Sequence, residues 1–200
     1  MNLIRSAISL TKDRKYHRIH RYAIILQMIF DWFKSKELFY EEIFRKLQVK
    51  NVHYFVVGGI AVALYGALRL TADADIILEL SPENINKFIS AMTELGYKPK
   101  IPANPADFAN PEKRKEWIEE KGMKVFSFWH PERPFEIVDV FVDNPIPFEE
   151  MEKEKTIKKT KGFEIPLPSL RQLVKLKRIS GRPEDLRDIE LLEKIHGKIG

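Results

Sequence analysis

Two hundred residues with 44% hydrophobic content are enough for one compact domain with a buried core. The absence of cysteine excludes disulfides and thiolate metal sites and suits a cytoplasmic protein. Charged residues make up 32% of the chain and are mixed in sign, which excludes a charge-expanded disordered chain, and the net charge is +5.

That charge is unevenly spread. Residues 1–50 hold 11 Lys/Arg against 5 Asp/Glu, residues 51–150 hold 10 against 16, and residues 151–200 hold 13 against 8. An acidic middle between basic ends suits a site that takes cations and phosphates. Solvated helix faces account for most of the individual charges.

Residues 1–34 read as a basic N-terminal extension ending in a helix, and residues 35–200 as the main domain. Lys12, Arg14, Lys15, Arg18 and Arg21 interrupt the early apolar residues, so no secretory signal is expected. Tyr22–Phe33 is apolar except for Gln27 and Asp31, but a bilayer needs about 20 residues, so no membrane span is expected. His17 and His20 lack a third ligand for zinc. Residues 37–49 have Leu38, Ile43, Phe44 and Leu47 on one side of a helix, and Asn51 breaks it.

Tyr54–Val57 reads as the first core strand, Ile60–Leu68 as a helix weakened by Gly66, and Asp75–Leu80 as the second strand. Ser81-Pro82-Glu83 supplies an N-cap, a first-turn proline and an acid, so a helix is expected from there to about Leu95, stopping at Gly96. Residues 101–112 read as loop, then Pro111–Lys121 as a helix ended by Gly122. Met123–Trp129 and Phe135–Val142 alternate as two antiparallel strands. Pro145 to Gly162 suggests loops and edge strands. Pro168-Ser169 starts a helix through Ile179, and Glu184–His196 forms a last one with Leu186, Ile189, Leu192 and Ile195 inward. The order describes an α+β domain, a small mixed β-sheet flanked by helices. Trp117 and Trp129 read as packing residues.

The chemistry concentrates in YFVVGGIAVALYGALRLTADADIILEL, Tyr54–Leu80. Asp73 and Asp75 are two apart on a strand and so share a face. Two such carboxylates repel unless a cation neutralises them, and a hard, oxygen-seeking Mg²⁺ (or Mn²⁺) fits. A third carboxylate is expected on a neighbouring strand. Asp139 shares its parity with Phe135, Ile137 and Phe141, which places it inward, while Glu136 falls outward; Asp143 is the reserve. A salt bridge to a nearby Lys or Arg is the alternative role for Asp139. Gly58 and Gly59 follow a strand and open a helix, where bare backbone can approach a triphosphate or simply make a tight turn. Neither G-x-G-x-x-G nor G-x-x-x-x-G-K-[ST] is present, which excludes the Rossmann and P-loop readings.

Gly58-Gly59, followed by Arg69-x-Thr71-x-Asp73-x-Asp75, resembles the nucleotidyltransferase superfamily that includes DNA polymerase beta. The likeness is to the small prokaryotic enzymes of the minimal and abortive-infection types. The run from Leu176 to Asp188 also resembles theirs, with Lys177, a Gly181-Arg182-Pro183 break and an acidic helix start. The resemblance covers about residues 35–195; Ala74 and the basic N-terminal segment depart from it. It implies transfer of a nucleoside monophosphate from a triphosphate such as ATP to an unknown acceptor: protein, tRNA or small molecule. Asp73, Asp75 and Asp139 would hold two Mg²⁺ ions, and Gly58, Gly59, Arg69, Thr71 and Lys177 would bind nucleotide. Arg182, Asp185 and Asp188 would brace the last two helices. A catalytically weak, antitoxin-like partner that keeps the fold for binding nucleotide or RNA, within a toxin–antitoxin pair, is the alternative.

Overall fold

Strand β1 (Tyr54–Val56) is buried on both faces, and β2 (Asp73–Leu78) pairs with it antiparallel. The computed structural model describes residues 41–69, 71, 73–160 and 162–199. The expectations for residues 1–34, for Leu38 and for His17 and His20 lie outside the described residues. Helix α1 covers 41–49 among them, with Ile43, Phe44 and Leu47 buried as the periodicity predicts, and Asn51 turns the chain at φ +51°.

The remaining elements follow in chain order. Helix α2 (Gly58–Leu64) lies between β1 and β2, and α3 (Pro82–Glu94) follows β2. Next come β3 (Lys98–Pro99), a 3-10 turn (Pro105–Ala109), α4 (Pro111–Lys121), β4 (Val125–His130) and β5 (Arg133–Phe141). Then come α5 (Phe148–Lys153), the β6–β7 pair (Thr156–Lys159, Glu164–Leu167), α6 (Leu170–Ser180) and α7 (Pro183–His196). The main sheet has the order β1-β2-β5-β4-β3; β2 and β5 run parallel and the other neighbours antiparallel.

Local sequence explains most helix ends. The Ser81 hydroxyl accepts from Asn84 N–H, with Pro82 and Glu83 in the first turn. The Asn110 side chain caps α4, and Gly122 stops it in the left-handed region. Ser169 and Gln172 form a reciprocal capping box on α6. Helix α2 ends at Leu64, earlier than expected, and Gly66 follows at φ +100°. The span 101–112 contains the 3-10 turn, with Phe108 buried against Phe126, and β3 precedes it as a two-residue edge strand.

The two sheet faces differ. On one, Ala74, Ile76, Phe126, Phe128, Val138 and Val140 are fully buried, and Phe88 of α3 meets Phe128 edge-on at 5.6 Å. Trp117 and Phe108 stack on Phe126 at 5.3 and 5.4 Å. Each such aromatic contributes roughly 1.5–3 kcal/mol by burial. On the other face Phe55, Val57 and Ile77 pack with Ile146, Phe148 and Met151, and this cluster covers only one end. The end that carries Asp73, Asp75, Ser127, Trp129, Ile137 and Asp139 is half-buried.

Two expectations are corrected here. Glu136 points into the buried face, 7% exposed, not outward, and Asp139 lies on the half-open one. The parity of β5 is right but the core is on its other side. Tyr97 donates to Glu136 Oε2 at 3.0 Å and Arg133 pairs with the same oxygen at 3.0 Å, so a carboxylate is tolerated there. In α7, Ile189 and Leu192 are inward, but Leu186 and Ile195 are 54% and 49% exposed. The buried stripe runs Asp185, Asp188, Ile189, Leu192, because the two acids meet Lys177.

Candidate functional site

Asp75 and Asp139 are direct register partners on the parallel strands β2 and β5, and Asp73 pairs with Ile137 one row away. The three predicted acids therefore share one sheet face. Asp139 Oδ1 is buried and has no hydrogen-bond partner, and no ion pair forms between Asp139 and a described residue. The salt-bridge alternative is not what the structure has. Burial pushes the Asp75 carboxyl up to about 6; repulsion from Asp139 and Asp73 adds to this, and the positive charges of Lys177 and Arg182 oppose it. Asp143, the reserve, lies exposed at the end of β5 and accepts from Asn144 N–H.

The glycine pair serves these residues one by one. Gly58 has φ +61°, and a Cβ on it would lie 1.8 Å from Asp75 Oδ2. A Cβ on Gly59 would lie 2.7 Å from the Cβ of Thr71. The Val57 N–H bonds Asp75 O at 2.9 Å, which brings the turn against the acid. Thr71 Oγ1 in turn donates to Asp73 O at 3.3 Å. Each glycine thus makes room for one residue of the Thr-x-Asp-x-Asp run.

Lys177 is 5% exposed, and its Nζ bonds Asp185 Oδ1 and Asp188 Oδ2, each at 2.8 Å. Arg69 Nε donates to Asp188 Oδ1 and Arg182 Nε to Asp185 Oδ2, both at 2.9 Å. Burial opposes ionisation of Asp185, but hydrogen bonds from Arg182, Lys177 and Ser180 outweigh it and hold the carboxyl far below its ordinary range. Arg182, Asp185 and Asp188 hold α6 and α7 together. Lys177 and Arg69 join them, and neither is an unpaired cation.

Asp75, Gly58, Lys177, Arg182 and Asp185 line one cavity of about 320 Å³. Its far wall is apolar: Ile118, Met123, Phe141, Leu176 and Ile179. Sequence reading missed this wall, because its residues come from α4, the loop after it, β5 and α6, with no shared period.

The donor set at the acids is all oxygen, which suits a hard divalent cation. Among the described residues, no group of three His, Asp or Glu side chains converges tightly enough to hold a metal ion unaided. Mg²⁺ normally takes one or two carboxylates and completes its shell with water and substrate phosphate. The orphaned Asp139 oxygen beside Asp75 fits that partial set. Among the described residues, no helix is long and apolar enough to cross a membrane.

No protein-family profile and no curated protein matches the sequence. Solved structures do match. The antibiotic-resistance factor ANT(2'')-Ia aligns at TM-score 0.54 and 10% identity, over 80% of this chain and 84% of that one. The same factor in complex with adenylyl-2''-tobramycin aligns at 0.52 and 11%, over 80% and 88%. The lincosamide antibiotic adenylyltransferase LnuA, with lincomycin bound, aligns at 0.51 and 20%, over 80% and 96%. A Thermotoga maritima protein designated a nucleotidyltransferase aligns at 0.50 and 16%, over 78% and 91%. The chain has the nucleotidyltransferase fold.

Proposed function

We propose that this protein transfers a nucleoside monophosphate from a nucleoside triphosphate to an acceptor, with Asp73, Asp75 and Asp139 as the catalytic and metal-holding acids. The observation that carries the reading is the buried, unpartnered Oδ1 of Asp139 in register with Asp75. A chain under no demand for a cation would pair or lose that oxygen, since an unsatisfied buried acceptor costs about 1–3 kcal/mol. Bound Mg²⁺ would neutralise the acids and stabilise charge on the attacking and leaving oxygens.

The chain's own residues do the rest. Gly58 and Gly59 present bare backbone to the triphosphate. The cavity next to Asp75 takes the nucleoside, its apolar wall of Met123, Phe141, Leu176 and Ile179 excluding water from the base. Asp139 accepts the proton of the acceptor hydroxyl or holds that hydroxyl in line. Thr71 orients Asp73 through its bond to the Asp73 carbonyl. Lys177 and Arg182 lend positive charge to Asp75, and Arg69 holds Asp188 beside Lys177.

ATP is the first donor to test, because two of the similar structures carry adenylyl chemistry in their descriptions. Triphosphate as donor also suits the cytoplasm. The antitoxin-like alternative is not favoured: a pure binder has no use for an unpartnered buried oxygen on Asp139 beside Asp75. The test is transfer of label from each of the four α-³²P triphosphates to cell lysate, with Mg²⁺ and with EDTA. Metal-dependent label on an acceptor is expected. No label from any triphosphate, together with no thermal shift by Mg²⁺ and ATP, would remove the reading.

A further inference from the structure

The row of acids divides the half-open sheet face. On the Phe141 side lies the cavity assigned above to the donor. On the other side the register sets Trp129 beside Ile137, and Ile137 beside Asp73. Lys98 of β3 continues the row as the partner of Trp129. Register partners carry their side chains on one face. The alternation in β4 agrees: Phe126, Phe128 and His130 are buried, and Val125, Ser127 and Trp129 are half-buried. Ser127 is the register partner of Asp139. Trp129 therefore stands two strand spacings, about 10 Å, from Asp73.

Trp117 and Trp129 both read as packing residues in the sequence, and they differ in the structure. Trp117 fits that description, 4% exposed and stacked on Phe126. Trp129 stacks on no described residue, and its N–H, bonded to none, is not buried. Lys98 and Lys100 are exposed and form no ion pair with a described residue. The Lys100 N–H bonds Ser127 O at 2.8 Å, which fixes this edge against β4. A half-open indole, a hydroxyl and two uncompensated lysines thus extend outward from the acids.

We propose that Trp129, with Ser127 and Lys98, is the acceptor shelf of the site, and that its occupant is the nucleotide at the 3′ end of a single-stranded RNA. This rests on the nucleotidyl-transfer reading. The base lies on the indole, the backbone phosphate meets Lys98 and Lys100, and the terminal hydroxyl reaches Asp139. Outward from the acids the row offers a carboxylate for a hydroxyl, an indole for a ring and lysines for an anion, and a nucleotide carries all three groups. A polycationic sugar would set its charge against Lys98. In the transfer, the hydroxyl oxygen bonds the α-phosphorus and the bond from that phosphorus to the bridging oxygen breaks. Pyrophosphate leaves, and the hydroxyl proton passes through Asp139 to water.

The test uses the full chain and a fluorescein-labelled RNA tetranucleotide with a free 3′ hydroxyl, read by anisotropy in EDTA. Trp129→Ala should weaken binding about tenfold, the scale of one lost base–aromatic stack. Trp129→Phe should stay within about threefold of wild type, because a smaller ring still stacks. Lys98→Glu should weaken binding and lower its salt dependence. The thermal shift by Mg²⁺ and ATP should be unchanged in all three, and α-³²P label should enter the RNA but not its 3′-phosphorylated form. Should Trp129→Ala fail to fold, Lys98→Glu and the blocked RNA decide. A normal ATP shift with RNA binding indifferent to Trp129 and Lys98, or with label entering tobramycin instead, would overturn the shelf. Loss of the wild-type ATP shift would overturn the donor reading beneath it.

Discussion

Two charge clusters meet at one cavity, lined by Asp75 from one and by Lys177, Arg182 and Asp185 from the other, and they are built in opposite ways. At the acids, like charges are neighbours, an Asp139 oxygen has no partner, and Asp75 is held up at about 6. Between α6 and α7, two buried acids are closed by Lys177, Arg69 and Arg182, and Asp185 is held down. Burial acts on both carboxylates in the same direction. The outcome is decided by the hydrogen bonds that one has and the other lacks. The closed cluster satisfies its own buried charges, whereas the open one would gain from a cation that neutralises its acids.

The comparison breaks first at Lys177. Lys177→Met leaves Asp185 and Asp188 buried without their shared cation and should cost about 3–5 kcal/mol, measured by urea unfolding. A loss under about 1 kcal/mol would mean the cluster relaxes into solvent. Asp139→Asn should do the opposite: stability unchanged or higher without metal, since repulsion with Asp75 is removed. In the same variant the stabilisation by Mg²⁺ and ATP should stay within about 1 kcal/mol of wild type, whereas Asp73→Asn with Asp75→Asn should lose that stabilisation, about 2.7 kcal/mol for a ligand at 100 times its Kd.

Acid sharpens the contrast. Asp185 has its folded pKa below its ordinary 3.8, so the folded state binds fewer protons than the unfolded state in that range. Its contribution is complete above about pH 5 and is lost as the pH falls through and below about 4. Asp185→Asn should lower stability at neutral pH and flatten the acid limb of a urea-midpoint profile. A limb as steep as wild type would assign it to other carboxylates. The finest ranking is expected between the two glycines. Gly58→Ala carries both a positive φ, about 1–2 kcal/mol, and a collision with Asp75, whereas Gly59→Ala has only Thr71 to displace. Thermal melts should rank Gly58→Ala below Gly59→Ala; the reverse order would place the tighter contact at Thr71.

Legibility in the sequence followed the range of the interactions. Ser81-Pro82, Asn110 with Gly122, and Ser169 act within one helical turn, and the helices begin and end at them. The common face of Asp73, Asp75 and Asp139 follows from strand parity alone. What parity leaves open is which face the helices cover. Asp139 was expected inward with Glu136 outward, but α3 packs on the other face, where Tyr97 and Arg133 satisfy Glu136. In α7, hydrophobicity favoured Leu186, while the buried position went to Asp185 because Lys177 waits on α6. No local pattern announces a cation eight residues away on another helix. The cavity wall and the two-residue strand at Lys98 are equally non-local. The fit of Gly58 to Asp75 explains in space why the glycine pair and the acid pair belong together.

The central claim is that the open acids perform nucleotidyl transfer. The most direct measurement is single-turnover transfer from α-³²P-labelled and γ-³²P-labelled ATP by wild type and by Asp139→Asn, with ATP binding measured in parallel. The account predicts that the α label reaches the acceptor and the γ label leaves as pyrophosphate. It also predicts that Asp139→Asn binds ATP within a few-fold of wild type and loses turnover by at least about a hundredfold, the signature of an interaction needed in the transition state. Transfer of the γ label, or full turnover by Asp139→Asn, would contradict it.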